Sequence, residues 1–348
     1  MLLNSVDQVR QVFSSVKNTD LGQPLFGDSR YKAVAFSKEN FREISEASTD
    51  KALCFVDGGN QEIISAPNFS VQFVRCYANF FKGKKRVREP LKTEFLSLAN
   101  AEGREGKIFF NATIIPVSGL DLLPKEGVLF DSQDDALKEG VGRARISVVG
   151  GLSRRFAEWA LAEKAMDFLA AGDAVVRDGT LQTSVAREAF YAKKAFLRAN
   201  EKSVFLTGLA KTSTLFTTTG IPLTSAVNKI SPRGKWAYHP VVENNHPDHP
   251  ADLYVVKFHE KSSHAFRFEW FKGQEKDEGV FSALAENASD PTFLGYPYGL
   301  IEADQMARVT NKETLGLKQL VSNKFGSDWT GVEEFLSASN AHDKLDRI

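Results

Sequence analysis

The sequence predicts an α/β or α+β fold in which helices flank a mixed β-sheet. Four strand-like segments follow one another between residues 51 and 117, with no strong helix between them. A helix–strand–helix–strand order occupies residues 153–209, and strand-like segments typical of antiparallel pairing come after it. Together these patterns favour one mixed sheet with helical layers over an all-α or an all-β fold.

The first core strand is predicted over residues 51–57, which read KALCFVD. This compact apolar run ends in Asp57, and Gly58 and Gly59 follow it. An apolar run that ends at two glycines is typical of a buried strand stopped by a tight turn. The next strands are predicted over residues 70–81, 91–98 and 108–117.

The clearest helix is predicted over residues 153–171, where Ser153 can cap the start and Gly172 can end the helix. The AVVRD segment predicts a strand that ends in Asp178, directly before Gly179. A loop or short helix is predicted over residues 119–142. The other predicted elements are helices over 6–16, 186–198, 279–286, 300–309 and 312–324, and strands over 32–36, 203–209, 236–242, 253–258 and 265–271.

Composition excludes several classes of protein. Apolar residues make up 42% of the 348 residues and charged residues 25%, which excludes a mostly disordered or a fibrous chain. Forty-four basic residues match 44 acidic ones, so a surface for a polyanion must be a local patch. Cys54 and Cys76 cannot form a disulfide framework and suit a reducing compartment. Because the sequence lacks a run of about 18 apolar residues and a signal-peptide pattern, we expect a soluble cytoplasmic protein.

Two predicted strands end in the same arrangement, a carboxylate followed by glycine. These carboxylates are Asp57 and Asp178. The carboxyl ends of strands are where α/β sheets hold their active sites, although Asp-Gly is also a common turn dipeptide.

The predicted helix between these strands carries two glutamates that are candidates for the same site. Its apolar stripe runs through Leu152, Phe156, Trp159, Met166 and Ala170. At about 100° per residue, Glu163 falls in the middle of this stripe and Glu158 to one side. A strand-end acid, a helix acid and a second strand-end acid could together hold divalent cations. Oxygen ligands favour Mg²⁺ or Mn²⁺ over zinc, and two such ions could support phosphodiester hydrolysis.

Five stretches occur in a fixed order along most of the chain: FVDGG at 55–59, RRFAEWALAEKA at 154–165, GDAVVRDGTL at 172–181, FLTGLAKTS at 205–213 and LGYPYGLIEAD at 294–304. This ordered set resembles the NurA family of nucleases, which have an RNase H-like core. The resemblance covers about residues 51–309, and none of the five stretches is specific by itself.

The resemblance implies a metal-dependent DNA end-processing nuclease that is dimeric and works with a hexameric HerA-type ATPase translocase. It implies Asp57, Glu158 and Asp178 as ligands of two Mn²⁺ or Mg²⁺ ions. The apolar stripe favours Glu163 instead, so Glu163 remains the alternative to Glu158. Asp304 would be a fourth ligand or a proton-handling residue on a late helix. The implied domains are an N-terminal helical extension over 1–50, an RNase H-like nuclease domain over 51–325 and a C-terminal tail over 326–348.

Lys211 follows a predicted strand and precedes Thr212 and Ser213. A lysine and two hydroxyls at a strand end can bind a phosphate, and the resemblance favours this role over that of a solvated loop. The spacing excludes a P-loop.

Basic residues crowd a predicted hairpin tip, at Lys82, Lys84, Lys85, Arg86 and Arg88. They form either a solvated loop or a contact with the DNA backbone. The neighbouring Tyr77, Phe80 and Phe81 suit core packing better than base stacking. The five histidines between residues 239 and 264 fit no standard zinc spacing.

Two other functions remain open from the sequence. One is a catalytically silent RNase H-like subunit that binds DNA or an ATPase, against which the full set of acids argues. The other is a phosphatase or another phosphoryl-transfer enzyme.

Overall fold

A mixed sheet of eleven strands forms the centre of the computed structural model, which describes residues 2–15, 20–125, 128–138 and 142–339. In chain order the strands are β1 Pro24–Leu25, β2 Tyr31–Ala33, β3 Phe41–Glu43, β4 Ala52–Ala66, β5 Phe69–Lys82, β6 Lys85–Arg104, β7 Lys107–Gly119, β8 Val128–Asp131, β9 Ala174–Asp178, β10 Phe205–Ala210, β11 Phe216–Thr217, β12 Trp236–Tyr238, β13 Val242–Asn244, β14 Ala251–Lys257 and β15 Phe266–Phe271. The helices are α1 Leu2–Ser15, α2 Val148–Ala165, α3 Ala186–Lys202, α4 Leu223–Ile230, α5 Glu278–Asn287, α6 Tyr298–Ala307, α7 Asn311–Phe325 and α8 Trp329–Ser339.

The strand order in the large sheet is β3-β12-β14-β15-β10-β9-β4-β5-β6-β7-β8. The central strands β4, β9 and β10 are parallel, whereas their neighbours on both sides are antiparallel. The register pairs Phe55 with Val176 and Val176 with Thr207. This register brings Asp57 on β4 level with Asp178 at the end of β9.

Helices cover both faces of this sheet, and the predicted mixed sheet flanked by helices is confirmed. Cys54 and Val56 pack with α2 and α3 in one core, while Leu53 and Phe55 pack with α5 and α6 in another. Successive side chains of a strand point to opposite faces. Asp57 therefore lies on the α6 face of the sheet, and position 58 lies on the α2 face.

The predicted tight turn at Gly58 and Gly59 is wrong, because β4 continues through both glycines to Ala66 and pairs with β5 throughout. The glycines instead permit close packing. A Cβ on Gly58 would lie 2.6 Å from Oε1 of Glu158 and 2.9 Å from Sγ of Cys76. A Cβ on Gly59 would collide with the carbonyl of Ala307 at the end of α6. Any larger residue would push α2 or α6 away from the strand.

The start of α2 also differs from the prediction. The helix begins at Val148, and Ser153 lies inside it rather than at its cap. The Ser153 hydroxyl is buried and donates to the carbonyl of Val149 at 2.9 Å. The side-chain amide of Gln72 on β5 donates to the carbonyl of Ser147 at 2.5 Å. The helix therefore starts without a side-chain cap at Ser147, and the sheet contacts the carbonyl at this point instead.

The regions outside the central elements contain more structure than predicted. The predicted helical extension over residues 1–50 contains the helix α1 but also three short strands. These strands, β1, β2 and β3, pair with β11, β13 and β12 respectively. The segment 119–142 contains β8, which pairs with β7. Beyond residue 326, α8 forms, and Trp329 and Leu336 pack against a small core that includes Ile63. Residues 340–348 of the predicted tail lie outside the described part of the chain.

In the ranges that the structure describes, no helix combines the length and the apolar character needed to cross a bilayer.

Candidate active site

Three aspartates from three different elements converge at the α6 face of the central strands. Asp57 comes from β4, Asp178 from the end of β9 and Asp304 from α6, and each contributes a carboxylate oxygen to a set within 4.8 Å of one another. Asp57 is 8% exposed. Among the described residues, this aspartate cluster is the group of His, Cys, Asp or Glu side chains with the spacing of a metal site. Its all-oxygen donor set is the kind that Mg²⁺ and Mn²⁺ prefer.

The ammonium group of Lys211 lies among these carboxylates. Nζ is 2.6 Å from Oδ2 of Asp178, 2.8 Å from Oδ1 of Asp304 and 3.7 Å from Oδ2 of Asp57. Lys211 directly follows β10, the strand beside β9, and so it reaches the cluster from the same sheet edge. Arg308 also pairs with Asp304, at 2.7 Å. The cluster thus already surrounds one cationic group.

The pKa values within the cluster reflect this crowding. Burial raises the pKa of Asp57 to about 8, and the negative charges of Asp178 and Glu158 add to the rise. Burial alone would lower the pKa of Lys211, but Asp178, Asp304 and Asp57 outweigh it and raise that pKa overall. Burial likewise opposes ionisation of Asp304, but hydrogen bonds from Lys211 and Arg308 lower its pKa. A divalent cation would supply the positive charge that a fully ionised cluster needs.

Tyr296 is a site residue that sequence reasoning missed. Its ring is buried, and its hydroxyl lies close to the carboxylate of Asp178 without forming a hydrogen bond of good geometry. Burial raises the pKa of Tyr296 far above its usual value, and the carboxylates of Asp178 and Asp57 raise it further. A buried hydroxyl with no well-formed hydrogen bond beside the cluster is available to a ligand. The only sequence signal was its place in the LGYPYGLIEAD stretch.

Glu158 lies beside the aspartate cluster but on the other face of β4. It is 2% exposed, and its two oxygens bind two arginines. Arg177 donates to Oε2 at 2.7 Å, and Arg154 forms an ion pair with Oε1. Gly58 separates Glu158 from Asp57, since Oε1 lies against the position that a Cβ of Gly58 would occupy.

Glu163 occupies a different part of the molecule. It is half-buried and lines a cleft of about 470 Å³ between α2 and α3, together with Lys164, Asp167 and Arg198. Of the two glutamates weighed from the sequence, the structure therefore brings Glu158 close to Asp57 and leaves Glu163 in this separate cleft.

A comparison with protein-family models matches the NurA domain over residues 51–309. The chain belongs to the NurA family. The matched range contains Asp57, Asp178 and Asp304 and ends at Val309, just after α6. Membership of this family supports assignment of the protein as a nuclease.

The fold of the chain matches that of a solved NurA protein. The crystal structure of the NurA nuclease from Sulfolobus solfataricus aligns with a TM-score of 0.55 and 11% sequence identity, covering 94% of this chain and 96% of that one. A DNA complex of Endonuclease V from Ciona intestinalis aligns with a TM-score of 0.36 and 10% identity, over 74% of this chain and 84% of that one. No curated protein matches the sequence. At such identities the Sulfolobus structure establishes the fold alone.

A polar groove of about 380 Å³ opens beside the aspartate cluster of the NurA domain. Asp178 and Lys211 belong to both the cluster and the groove wall. Other side chains with positive charge or a hydroxyl line the groove, namely Arg154, Arg155, Arg177, Thr180 and Thr212. Such a lining is suited to a phosphate backbone and offers no aromatic platform for a base.

The arginines of this groove are held by other contacts. Arg177 is stacked over the ring of Trp159, with its guanidinium carbon 4.3 Å from the ring centroid, and it donates to the carbonyl of Thr180 at 2.7 Å. Its Nε is buried and has no partner among the described residues. Arg155 donates to the buried Glu188 on α3 at 2.8 Å. These contacts fix the guanidinium groups of the groove, and Glu158 and Asp178 in the same lining offset part of their charge.

The basic run forms the turn between β5 and β6, as the predicted hairpin requires, but several of its members have partners. Lys82 pairs with Asp50, and Arg86 pairs with the buried Glu302, both at 2.5 Å. The guanidinium of Arg88 lies 3.7 Å from the ring centroid of Phe168. Lys84 and Lys85 are exposed. The nearby Tyr77, Phe80 and Phe81 are buried, which agrees with core packing.

Two of the histidines belong to structural networks. The buried His249 contacts Glu269 through Nε2 at 2.8 Å and the hydroxyl of Tyr31 through Nδ1 at 3.0 Å. Oε2 of Glu269 also accepts from the backbone N–H of Leu181, in the loop after Asp178. His246 lies 3.8 Å from Asp28.

Proposed function

We propose that this NurA protein is a metal-dependent deoxyribonuclease that hydrolyses phosphodiester bonds. One observation carries the proposal, namely the convergence of Asp57, Asp178 and Asp304 around a single cationic group beside a positively lined groove. Family membership supplies the reaction class, and the acids supply the chemistry that the reaction needs.

The donor set fits Mn²⁺ or Mg²⁺. Asp57, Asp178 and Asp304 would hold the metal. Glu158 is our candidate ligand for a second ion, which would replace one of the two arginines that Glu158 now binds. Bound ions of this kind activate water and stabilise the leaving oxygen in phosphodiester hydrolysis. The hydroxyl of Tyr296, which lies beside Asp178, would then donate a hydrogen bond within the same centre.

The groove would bind and orient the substrate strand. The partly exposed Arg154 and Arg155 would present fixed guanidinium groups to phosphate oxygens, and Lys211 would supply a mobile point charge next to the aspartates. Because its lining has no aromatic side chain, we expect recognition of the backbone rather than of particular bases. Binding should therefore weaken steeply with salt.

Assembly is proposed from family membership alone. We propose DNA end processing by a homodimer together with a hexameric HerA-type ATPase translocase. The exposed Val9 on α1 is a candidate contact, whereas the side chain of Phe13 lies outside the described residues. Co-elution with the cognate ATPase in size-exclusion chromatography would support this assembly. Separate elution at micromolar concentrations of both proteins would contradict it.

A second candidate function is a catalytically silent subunit that binds DNA or the ATPase. Two contacts favour it. Each carboxylate oxygen of Glu158 is already paired with an arginine, and Lys211 lies inside the aspartate cluster. Both contacts would have to change before metal ions could fill the site.

Cleavage of linear DNA distinguishes these functions. Substrates labelled at the 5′ or the 3′ end are incubated with the protein and Mn²⁺, Mg²⁺ or EDTA, and the products are sized by electrophoresis. A nuclease gives metal-dependent products that EDTA abolishes. Retention of intact DNA under all conditions would favour the silent subunit, and turnover of small phosphoesters without DNA cleavage would indicate a phosphatase.

A further inference from the structure

The position of Lys211 coincides with the place where a metal ion would lie. An ion at the centre of three oxygens that are at most 4.8 Å apart is about 2.8 Å or less from each of them, so a contraction of the cluster by less than about 1 Å would give the roughly 2.1 Å distances of Mg²⁺. Nζ of Lys211 is 2.6, 2.8 and 3.7 Å from oxygens of the same three aspartates. The ammonium group and a metal ion thus compete for one space.

We propose that Lys211 is a built-in counter-ion of the metal-free site and that it leaves the aspartate cluster when a divalent ion binds. This inference rests on the proposed function, and it assigns to Lys211 two successive roles. In the resting site the ammonium offsets part of the negative charge of the carboxylates; in the loaded site it faces the groove and contacts the substrate phosphate.

The charges of the site explain why a counter-ion is needed. Asp57 and Asp178 have side chains only 11% and 14% exposed, so water screens their repulsion poorly. Among the described residues, Lys211 is the cation nearest to both carboxylates. Its removal would leave Asp57 and Asp178 without that cation. A divalent ion brings twice the charge of the ammonium, and the two cations would repel each other at this separation. Lys211 therefore moves when the ion arrives.

The surroundings of Lys211 permit this movement. Its side chain is 36% exposed, and both Lys211 and Thr212 line the groove that leads away from the cluster. A lysine is a compact charge on a flexible stem, unlike the planar guanidinium of the neighbouring arginines. Arg177 and Arg154 are fixed by Glu158, so Lys211 is the groove cation that has an exit path.

Metal titration in the absence of DNA tests the proposal. Mn²⁺ binding is measured by calorimetry for the wild-type protein, for Lys211→Met and for the control Lys318→Met, an exposed lysine on α7. We expect Lys211→Met to bind Mn²⁺ at least about tenfold more tightly than the other two proteins. Equal or weaker binding by Lys211→Met would overturn the counter-ion role.

Lysine reactivity gives a second measurement that needs no variant. The rate of chemical acylation at Lys211 is followed by mass spectrometry in the wild-type protein with and without Mn²⁺, with Lys318 as the internal reference. We expect Mn²⁺ to accelerate modification of Lys211 and leave Lys318 unchanged. An unchanged or slower rate at Lys211 would overturn the proposed displacement.

These results separate the inference from the proposed function. Tighter Mn²⁺ binding by Lys211→Met together with slower DNA cleavage supports both roles of the lysine. Unchanged Mn²⁺ affinity with normal metal-dependent cleavage by the wild-type protein overturns the counter-ion alone. Absence of Mn²⁺ binding in all three proteins overturns the counter-ion and the metal-dependent nuclease together.

Discussion

Arg177 donates a 2.7 Å hydrogen bond to Glu158 on the α2 face of the sheet, whereas the next residue, Asp178, joins the aspartate cluster on the α6 face. Strand alternation produces this division. One short strand, β9, thus supplies both an arginine of the groove and a carboxylate of the candidate metal centre. The two halves of the site are joined through the backbone of adjacent residues.

Substitution of the two helix glutamates should separate their roles. We expect Glu158→Gln to reduce DNA cleavage at least about a hundredfold and to lower the free energy of unfolding by about 1–3 kcal/mol, because the buried Arg177 loses its charged partner. Glu163→Gln, in a half-buried position, should cleave normally and change stability by less than about 0.5 kcal/mol. Urea denaturation and cleavage rates provide the two measurements. An inactive, well-folded Glu163→Gln beside an active Glu158→Gln would reverse the assignment.

The raised pKa of Asp57 predicts that Mn²⁺ affinity increases with pH. Protons compete with the metal for this carboxyl below a pH of about 8, so Mn²⁺ binding at pH 6.5 should release a proton, and affinity should level off above pH 8. In the metal-free protein, by contrast, a rise in pH lowers what Asp57 contributes to the stability of the folded state. The folded state holds this proton more tightly than an unfolded chain with a pKa of 3.8, so this group's contribution to stability falls as pH rises from about 4 to 8.

Calorimetry in buffers of different ionisation enthalpy measures the released proton. The control is Asp57→Asn, which cannot titrate at this position and should release less. Proton release that is identical in the two proteins would show that Asp57 is not the titrating group.

The site residues that could be predicted are those whose sequence signal lies within one short segment. Asp57 and Asp178 each end an apolar run, and parallel pairing of β4 with β9 then brings them together, so the pattern was sufficient. The passage of β4 through Gly58 and Gly59 was not predictable, since the pairing partner β5 and the approach of α2 and α6 are tertiary facts. Asp304 needed the family resemblance, because an acid on a late helix has no distinctive spacing.

Other features depended on contacts between distant segments. The apolar stripe favoured Glu163 because it placed that residue on the buried side of the helix. Arg154 is one helical turn before Glu158, but Arg177, the second arginine that neutralises this buried carboxylate, comes from β9 and could not be foreseen from the helix alone. Similarly, α2 starts at Val148 without a side-chain cap, and Gln72 from β5 contacts the carbonyl of Ser147 there. Contacts from elements distant in sequence thus account for most of the differences.

Tyr296→Phe should separate function from stability at the buried hydroxyl. Since that hydroxyl makes no hydrogen bond of good geometry and only lies close to Asp178, its removal should change the free energy of unfolding by less than about 1 kcal/mol. Cleavage should fall at least about tenfold if the hydroxyl serves the reacting centre. Cleavage rates and urea denaturation are compared with those of Tyr298→Phe, a neighbouring tyrosine that packs against Phe81. Equal activity of the two variants would remove Tyr296 from the site.

Glu269 should contribute to stability through charge. It is 1% exposed and accepts from Arg267, His249 and the backbone of Leu181. Burial opposes its ionisation, but Arg267 and His249 lower its pKa to about 2. Glu269→Gln should therefore reduce the free energy of unfolding by about 3 kcal/mol at pH 7.

The pH dependence provides the check on Glu269. A lowered pKa stabilises the folded state above the unfolded pKa of about 4.5, and this contribution is lost as pH falls toward 2. The difference between wild type and Glu269→Gln should shrink over that window, while the exposed Glu275→Gln should match wild type throughout. A difference that is independent of pH would mean that packing rather than charge is responsible.

The central claim is that the aspartate cluster is the metal centre of a DNA nuclease. Release of label from end-labelled linear DNA in Mn²⁺ is measured for wild type, Asp57→Asn and Asp178→Asn, after circular dichroism and DNA binding have shown that each variant is folded. We expect cleavage by the wild-type protein and at least about a hundredfold loss in each variant, with DNA binding retained. Near-normal cleavage by either folded variant would contradict the assignment.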